Sequence, residues 1–122
     1  MVKKILIVDD EPNIVISLEF LMKKEGFEVA VANDGDEALA MVASTNPDLL
    51  LLDVMMPKKS GFEVCEALRA DPGRAGLKII MLTAKGRDTE MAKGLAIGAD
   101  AYVTKPFSTK DLVNKVKEIL AV

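Results

Sequence analysis

The sequence predicts an α/β fold in which a doubly wound, five-stranded parallel sheet is covered by helices on both faces. Five short apolar runs alternate with five segments of helical periodicity, and three of the runs are apolar throughout. Strands buried on both faces have this composition. A chain of 122 residues has the length of one domain. We therefore expect one (βα)5 domain over residues 1–122, with right-handed crossovers.

The apolar runs define the strands. Ile5–Val8, Leu49–Leu52 and Ile79–Leu82 contain no polar residue, so we expect them at the centre of the sheet. The predicted strands are Lys4–Val8, Glu28–Ala32, Asp48–Leu52, Lys78–Leu82 and Ala101–Thr104.

Helical periodicity fills the segments between these runs. Ser60 and Glu63 are spaced as a capping box, and Gly26 and Gly98 suit the ends of helices. The predicted helices are Glu11–Glu25, Asp36–Ser44, Ser60–Ala70, Asp88–Ile97 and Thr109–Leu120.

Composition excludes several classes of function. A net charge of -3 argues against a nucleic-acid-binding domain, which needs a basic face. No apolar run approaches the roughly 18 residues of a membrane span, and we find no signal peptide, so we expect a cytoplasmic protein. One cysteine, Cys65, and no histidine exclude an internal disulfide and histidine catalysis. The chemistry must use carboxylates, hydroxyls and amines.

Polar residues follow the ends of the central strands and of the last strand. They are Asp9–Glu11, Asp53, Thr83 and Thr104–Lys105. In a parallel sheet the carboxyl ends of the strands lie on one edge, where ligands bind. We expect these residues to meet in one crevice.

Three carboxylates, Asp9, Asp10 and Asp53, would repel one another in such a crevice unless a cation joins them. Lys105 can balance only one of the three charges. Oxygen ligands without His or Cys favour a hard ion such as Mg²⁺, or Mn²⁺. The alternative is that each is an ordinary hydrated acid at the end of a strand.

Five pieces of sequence, in this order, resemble the receiver domain of two-component response regulators over essentially the whole chain. A single Asp-Asp pair would be weak evidence, whereas five pieces at strand ends are specific. By this resemblance the fold is flavodoxin-like with strand order 2-1-3-4-5. The pieces are Ile7–Glu11, Leu52–Gly61, Leu82–Lys85, Gly98–Tyr102 and Lys105–Phe107.

The resemblance implies a phosphoryl-transfer site. Asp53 would be the phosphoryl acceptor, while Lys105 and the Thr83 hydroxyl would bind phosphoryl oxygens. Because the chain has no histidine, the phosphohistidine donor must be a partner, either a sensor histidine kinase or a histidine phosphotransfer protein.

The same resemblance implies the ligands of the metal. Asp10 would bind Mg²⁺ directly, Asp9 would bind it directly or through water, and Asp53 and the main-chain carbonyl of Met55 would complete the protein ligands.

A switch is also implied, in which the Thr83 hydroxyl moves toward the phosphoryl group and the Tyr102 ring turns inward, with Ala84 small enough to allow it. The alternative for Tyr102 is a strand aromatic whose hydroxyl lies in water. The output face would comprise the predicted fourth helix, fifth strand and fifth helix, and its charged residues suggest a homodimer interface. An ordinary solvated face is equally compatible with the sequence.

Three further positions follow from the resemblance. Met55 and Lys85 occupy the positions that tune phosphoryl lifetime, and neither accepts a proton from water at neutral pH, so we expect a persistent phosphoryl group. Lys105 and Pro106 would be joined by a cis peptide that directs the lysine into the pocket.

Ile16 and Phe20 lie on the first predicted helix, opposite its core stripe and four residues apart. We interpret them as a docking surface for the helices of the kinase beside Asp10. The alternative is packing against the last helix.

Three other functions compete with this interpretation. A flavin mononucleotide carrier is disfavoured because Asp9–Glu11 would repel the phosphate. A haloacid-dehalogenase-type phosphatase needs a second Asp where this chain has Met55. A non-phosphorylated pseudo-receiver that acts as a scaffold stays open, as does the choice between a stand-alone regulator and the receiver of a longer protein.

Overall fold

The computed structural model describes residues 2–56, 59–84, 98–105 and 107–122. Its five strands form one parallel sheet in the order β2-β1-β3-β4-β5, as expected from the resemblance. The strands are β1 (Lys4–Val8), β2 (Glu28–Ala32), β3 (Leu49–Asp53), β4 (Lys78–Ala84) and β5 (Ala101–Lys105).

Four α-helices connect or follow these strands in the described part of the chain. They are α1 (Pro12–Lys24), α2 (Gly35–Thr45), α3 (Gly61–Arg69) and a final helix (Thr109–Leu120), and a short 3₁₀ helix covers Pro72–Arg74. None of them is long and apolar enough to cross a membrane. The predicted helix Asp88–Ile97 lies outside the described residues.

Three of the described α-helices begin at side-chain caps. Asp34, Ser60 and Ser108 each accept a hydrogen bond from the backbone N–H three residues later, at 2.8, 3.2 and 3.3 Å. These bonds satisfy N–H groups that a helix N-terminus otherwise leaves without a partner. Gly26, just past α1, has a φ of 90°, which suits glycine at a helix end.

The predicted boundaries were wrong at the carboxyl ends of three strands. We expected Asp53, Thr83 and Lys105 to follow their strands, but each belongs to one: β3 includes Asp53, β4 runs to Ala84 and β5 runs to Lys105. The reason is that pairing continues past the apolar run, with Asp53 opposite Leu82 and Thr83 opposite Thr104. The sheet therefore fixes the backbone of these three residues.

Alternate residues of the strands form two hydrophobic cores, one on each face. Leu6, Leu50 and Met81 pack toward α2 and α3, whereas Ile7 and Leu51 pack toward α1 and the final helix. The central strands are almost completely buried. Burial of this kind supplies most of the driving force for folding and holds the strand ends in one plane.

Arg69 connects three segments at the amino-terminal edge of the sheet. Its guanidinium donates hydrogen bonds to the carbonyl oxygens of Gly98 (2.8 Å) and Leu77 (2.7 Å) and to Asp100 Oδ2 (2.8 Å). The same Asp100 oxygen accepts a 2.7 Å bond from the N–H of Ile79. The planar guanidinium thus ties the end of α3 to the segments that enter β4 and β5.

We predict that Arg69→Met lowers the free energy of unfolding by about 2–4 kcal/mol, because it removes the cation that pairs with Asp100 and the donor to the carbonyl oxygens of Gly98 and Leu77. Urea unfolding followed by circular dichroism measures this change. Arg74→Met is the matched control, since Arg74 makes an exposed 2.8 Å bond to Asn46 and its loss should cost less than about 1 kcal/mol. Equal costs for the two variants would contradict the role assigned to Arg69.

Candidate functional site

The candidate site lies at the carboxyl edge of the sheet, where β1, β3, β4 and β5 end. Among the described residues, the polar side chains that the fold buries are Asp9, Asp53 and Thr83. Asp9 follows β1 directly, and Asp53 and Thr83 lie on neighbouring strands. Buried polar groups are costly unless they have partners, so their concentration at one edge marks a functional site.

Three carboxylates converge there. Asp9, Asp10 and Asp53 each offer an oxygen within 4.8 Å of the others, and Asp10 is exposed while the other two are buried. A set of three carboxylates with one side open to water suits a hard divalent cation that keeps part of its hydration shell. The residues therefore fit the Mg²⁺ that the sequence predicts.

Lys105 lies in the middle of this acidic group. Its Nζ lies 2.9 Å from Asp9 Oδ2, 3.4 Å from Asp53 Oδ1 and 3.5 Å from Glu11 Oε1. Lys105 and Asp9 are 96 residues apart in the sequence, so only the tertiary structure brings them together. One ammonium thus pairs with three carboxylates, and Asp10 adds a fourth negative charge close to Asp9 and Asp53, so the pocket keeps an excess of negative charge.

Burial and neighbouring charge change the ionisation of this group. Burial of Asp53, with a smaller effect from the charge of Asp9, raises the pKa of Asp53 to about 6, although Lys105 and the N–H of Met55 act to lower it. For Lys105, burial alone would lower the pKa, but the hydrogen bond to Asp9 and the charges of Asp53, Asp9 and Glu11 raise it. Lys105 therefore stays an ammonium ion while Asp53 is held in an unfavourable charged state at neutral pH.

Met55 follows Asp53 by two residues. Its N–H donates to Asp53 Oδ1 at 3.4 Å, and its side chain is 62% exposed. The role of its carbonyl as a metal ligand stays a prediction.

Sequence reasoning missed the role of Gly61. A Cβ at this position would collide with the carbonyl oxygen of Asp53 and with the Cα of Val54. The N–H of Gly61 also donates to the carbonyl oxygen of Val54 at 2.9 Å. The start of α3 thus packs directly on the backbone of Asp53, which only glycine permits. The signal in the sequence is a glycine directly after the Ser60 cap.

The residues predicted to form a switch lie on β4 and β5. Thr83 is buried, and the hydroxyl oxygen of Tyr102 is shielded from solvent while the ring packs against the core beside α2 and α3. The alternative of a wetted hydroxyl is therefore not what the structure shows. Ala84 ends β4, and Lys85 and Pro106 lie outside the described residues.

Ile16 and Phe20 are the exposed apolar residues of α1, at 65% and 70% exposure. The alternative that they pack against the final helix is wrong, since the residues that α1 packs into that core include Ile14, Leu18 and Met22. A phenylalanine and an isoleucine one turn apart form an apolar patch on the surface.

Comparison with known proteins agrees with this geometry. Residues 5–117 match the family model for the response regulator receiver domain. The chain superposes on a proposed response regulator from Chloroflexus aurantiacus with a TM-score of 0.96, at 38% identity over 100% of both chains. A CheY-like receiver domain protein from Methanospirillum hungatei gives 0.91 at 37% identity, over 99% of this chain and 95% of that one. Chemotaxis protein CheY4 of Vibrio cholerae gives 0.91 at 32% identity, over 98% and 99%.

We predict that Asp53→Asn stabilises the metal-free protein at neutral pH by about 1–3 kcal/mol. The unfolded chain releases the Asp53 proton near 3.8 and the folded chain near 6. The folded state therefore binds more protons than the unfolded state in and around this range, so the free energy of unfolding of wild type falls with rising pH relative to that of Asp53→Asn, and the difference between the two proteins levels off above about pH 7. Urea unfolding of both proteins in EDTA, from pH 4 to 8, measures the difference between their free energies of unfolding.

Asp36→Asn is the control for this prediction, because Asp36 carries the same charge on an exposed side chain. A difference in free energy of unfolding that does not change with pH would contradict the argument that burial raises the pKa of Asp53. An Asp53→Asn variant less stable than wild type at pH 7 would contradict it as well.

Proposed function

Because this chain belongs to the family of response regulator receiver domains, we propose that it is a phosphorylation-dependent switch of a two-component system, with Asp53 as the phosphoryl acceptor. The observation that carries the proposal is the position of Asp53. It is buried at the carboxyl edge of the sheet, within 3.4 Å of the Lys105 ammonium and beside two further carboxylates.

The proposed reaction begins on a partner, a sensor histidine kinase or a histidine phosphotransfer protein. A carboxylate oxygen of Asp53 attacks phosphorus, the P–N bond of the phosphohistidine breaks, and its electron pair returns to the imidazole. The product is an acyl phosphate on Asp53. Phosphoryl transfer asks a protein mainly for positioning and for stabilisation of charge, and β3 and Gly61 hold the acceptor in place.

Lys105 supplies fixed positive charge to this reaction. Its Nζ is already within 3.4 Å of Asp53, so we propose that it binds a phosphoryl oxygen, with the buried Thr83 hydroxyl binding another. When bound by Asp9, Asp10, Asp53 and the carbonyl of Met55, Mg²⁺ supplies further charge neutralisation. The excess negative charge of the pocket therefore has a function in this proposal, because it attracts Mg²⁺.

The output is proposed to follow from added charge. Phosphorylation replaces the single charge of the Asp53 carboxylate by a phosphoryl group that carries about -1.5 to -2 charges and three acceptor oxygens, which draws the Thr83 hydroxyl and biases Tyr102 toward its inward position. The face formed by the predicted helix at 88–97, β5 and the final helix would then bind a partner or a second copy of the chain. We propose that the protein acts in the cytoplasm and does not itself bind nucleic acid.

Persistence of the phosphoryl group is part of the proposal. The exposed Met55 side chain cannot accept a proton from an attacking water. A lysine at position 85 cannot accept one at neutral pH either. Hydrolysis should then be slow compared with chains that carry a proton-accepting side chain at these positions.

We propose that the kinase docks on the patch of Ile16 and Phe20. The helix α1 that carries them begins two residues after Asp10, so a partner seated on its first turns lies beside the acceptor pocket. Exposed apolar residues next to a functional pocket are typical of a protein interface.

The first test is incubation of the protein with acetyl phosphate and Mg²⁺, followed by intact-mass measurement. We predict an adduct of one phosphoryl group in wild type and in Asp36→Ala, and none in Asp53→Ala or when EDTA replaces Mg²⁺. Asp36 is an exposed aspartate and controls for nonspecific modification.

An adduct that survives Asp53→Ala would overturn the assignment of the acceptor. A folded wild type that takes no phosphoryl group from acetyl phosphate or from a phosphorylated kinase would favour the pseudo-receiver alternative.

The second test addresses docking. We predict that Ile16→Ser combined with Phe20→Ser slows transfer from a sensor kinase, chosen because it phosphorylates wild type, by about 10-fold or more, the loss expected for two central interface residues. Labelling by acetyl phosphate should not change, because that small donor needs no docking surface.

Val2→Ser is the control for the docking test, since Val2 is a 58% exposed apolar residue elsewhere. Kinase transfer at the wild-type rate in the double variant, with its fold intact, would rule out docking at this patch.

A further inference from the structure

Lys105 is shared by three carboxylates that differ in exposure. Asp9 is 0% exposed and Asp53 is 7% exposed at the side chain, whereas Glu11 is 60% exposed. The three oxygens lie between 2.9 and 3.5 Å from the same Nζ. Two of these partners lie inside the pocket, and Glu11 lies at its rim.

The two inner carboxylates that hold Lys105, Asp9 and Asp53, also belong to the cluster of three that could hold a divalent cation. Asp9 Oδ1 already accepts a hydrogen bond from the N–H of Glu11 at 2.9 Å, and Asp9 Oδ2 accepts from Lys105. Lys105 therefore competes for both Asp9 and Asp53. A divalent cation bound to these carboxylates repels the nearby ammonium, so we expect Lys105 to give up part of its contacts with them.

Glu11 is the partner that Lys105 can keep. Glu11 directly precedes α1, but its side chain makes no capping hydrogen bond to the helix. The next residue, Pro12, has no backbone N–H that could donate to it. The carboxylate is thus not committed to the helix. Because it is exposed, it can follow the ammonium while both groups stay hydrated.

We propose that Glu11 is a positioning residue that holds the Lys105 ammonium at the rim of the pocket when a divalent cation takes the inner carboxylates. The inference rests on the proposed function, because it concerns the same Mg²⁺ site. Its consequence is that Glu11 favours the cation-bound state through Lys105, without being a ligand of the metal. Lys105 is thereby kept at the mouth of the pocket, within reach of the phosphoryl oxygens that arrive at Asp53.

The test is the dissociation constant of Mg²⁺ measured by isothermal titration calorimetry. Glu11→Gln should weaken binding by about 3- to 5-fold, the scale of one exposed charge pair. Glu19→Gln is the matched control, because it removes the same charge from α1 and also breaks a lysine ion pair, with Lys23 at 3.0 Å.

The decisive comparison repeats Glu11→Gln in a Lys105→Met background. If Glu11 acts through Lys105, Glu11→Gln should change the dissociation constant of Mg²⁺ by less than about 2-fold in the Lys105→Met background. Lys105→Met alone should strengthen Mg²⁺ binding, because it removes the competitor. Circular dichroism checks that each variant is folded.

Nitrogen-15 spectra of the lysine side chains give an independent readout. With Mg²⁺ bound, the Lys105 ammonium signal should stay sharp in wild type and broaden in Glu11→Gln, because an ammonium without an ion-pair partner exchanges its protons with water faster.

Three results would overturn the inference. Equal dissociation constants for Glu11→Gln and Glu19→Gln would show that Glu11 has no special role. An equal weakening with and without Lys105 would show that Glu11 acts on the cation directly. A folded wild type that binds no Mg²⁺ would instead overturn the metal dependence in the proposed function, and this inference with it.

Discussion

The structure depends on one partly buried ammonium ion, that of Lys105, which is shared by carboxylates at the edge of a parallel sheet. Lys105 reaches Asp9 and Asp53 only because β1, β3 and β5 end at the same level. A buried charge requires partners at fixed distances, so the ends of these strands must not move relative to one another. The two apolar cores and the continued pairing of Asp53 with Leu82 supply that rigidity.

The two edges of the sheet use charge in opposite ways. At the amino edge, Arg69 meets Asp100 and backbone carbonyls, and each of these groups has a partner, so the cluster stabilises the fold. At the carboxyl edge, Lys105 faces more carboxylates than it can neutralise, and the pKa of Asp53 rises to about 6. The second arrangement costs stability and creates a site that a cation and a phosphoryl group can complete.

Much of the fold and the identity of the site residues could be predicted from the sequence. Apolar runs and helical periods gave the class of fold, and polar residues after each run indicated the crevice at Asp9, Asp53 and Lys105. Strand order came from the resemblance rather than from the pattern, because periodicity says which residues are buried and not which strands are neighbours. The ends of the strands were misjudged because pairing does not stop where polarity begins.

The sequence by itself determined the alternation of strands and helices, the buried faces and the chemical types present at the strand ends, since these depend on local composition and spacing. Tertiary structure alone decided that Glu11 shares an ammonium with Asp9, that Gly61 leaves room for the backbone of Asp53, and that Phe20 is exposed. Each of these facts depends on the distance between different secondary-structure elements, or on which neighbour covers a helix face. Packing in three dimensions fixes such distances, and no local pattern of residues specifies them.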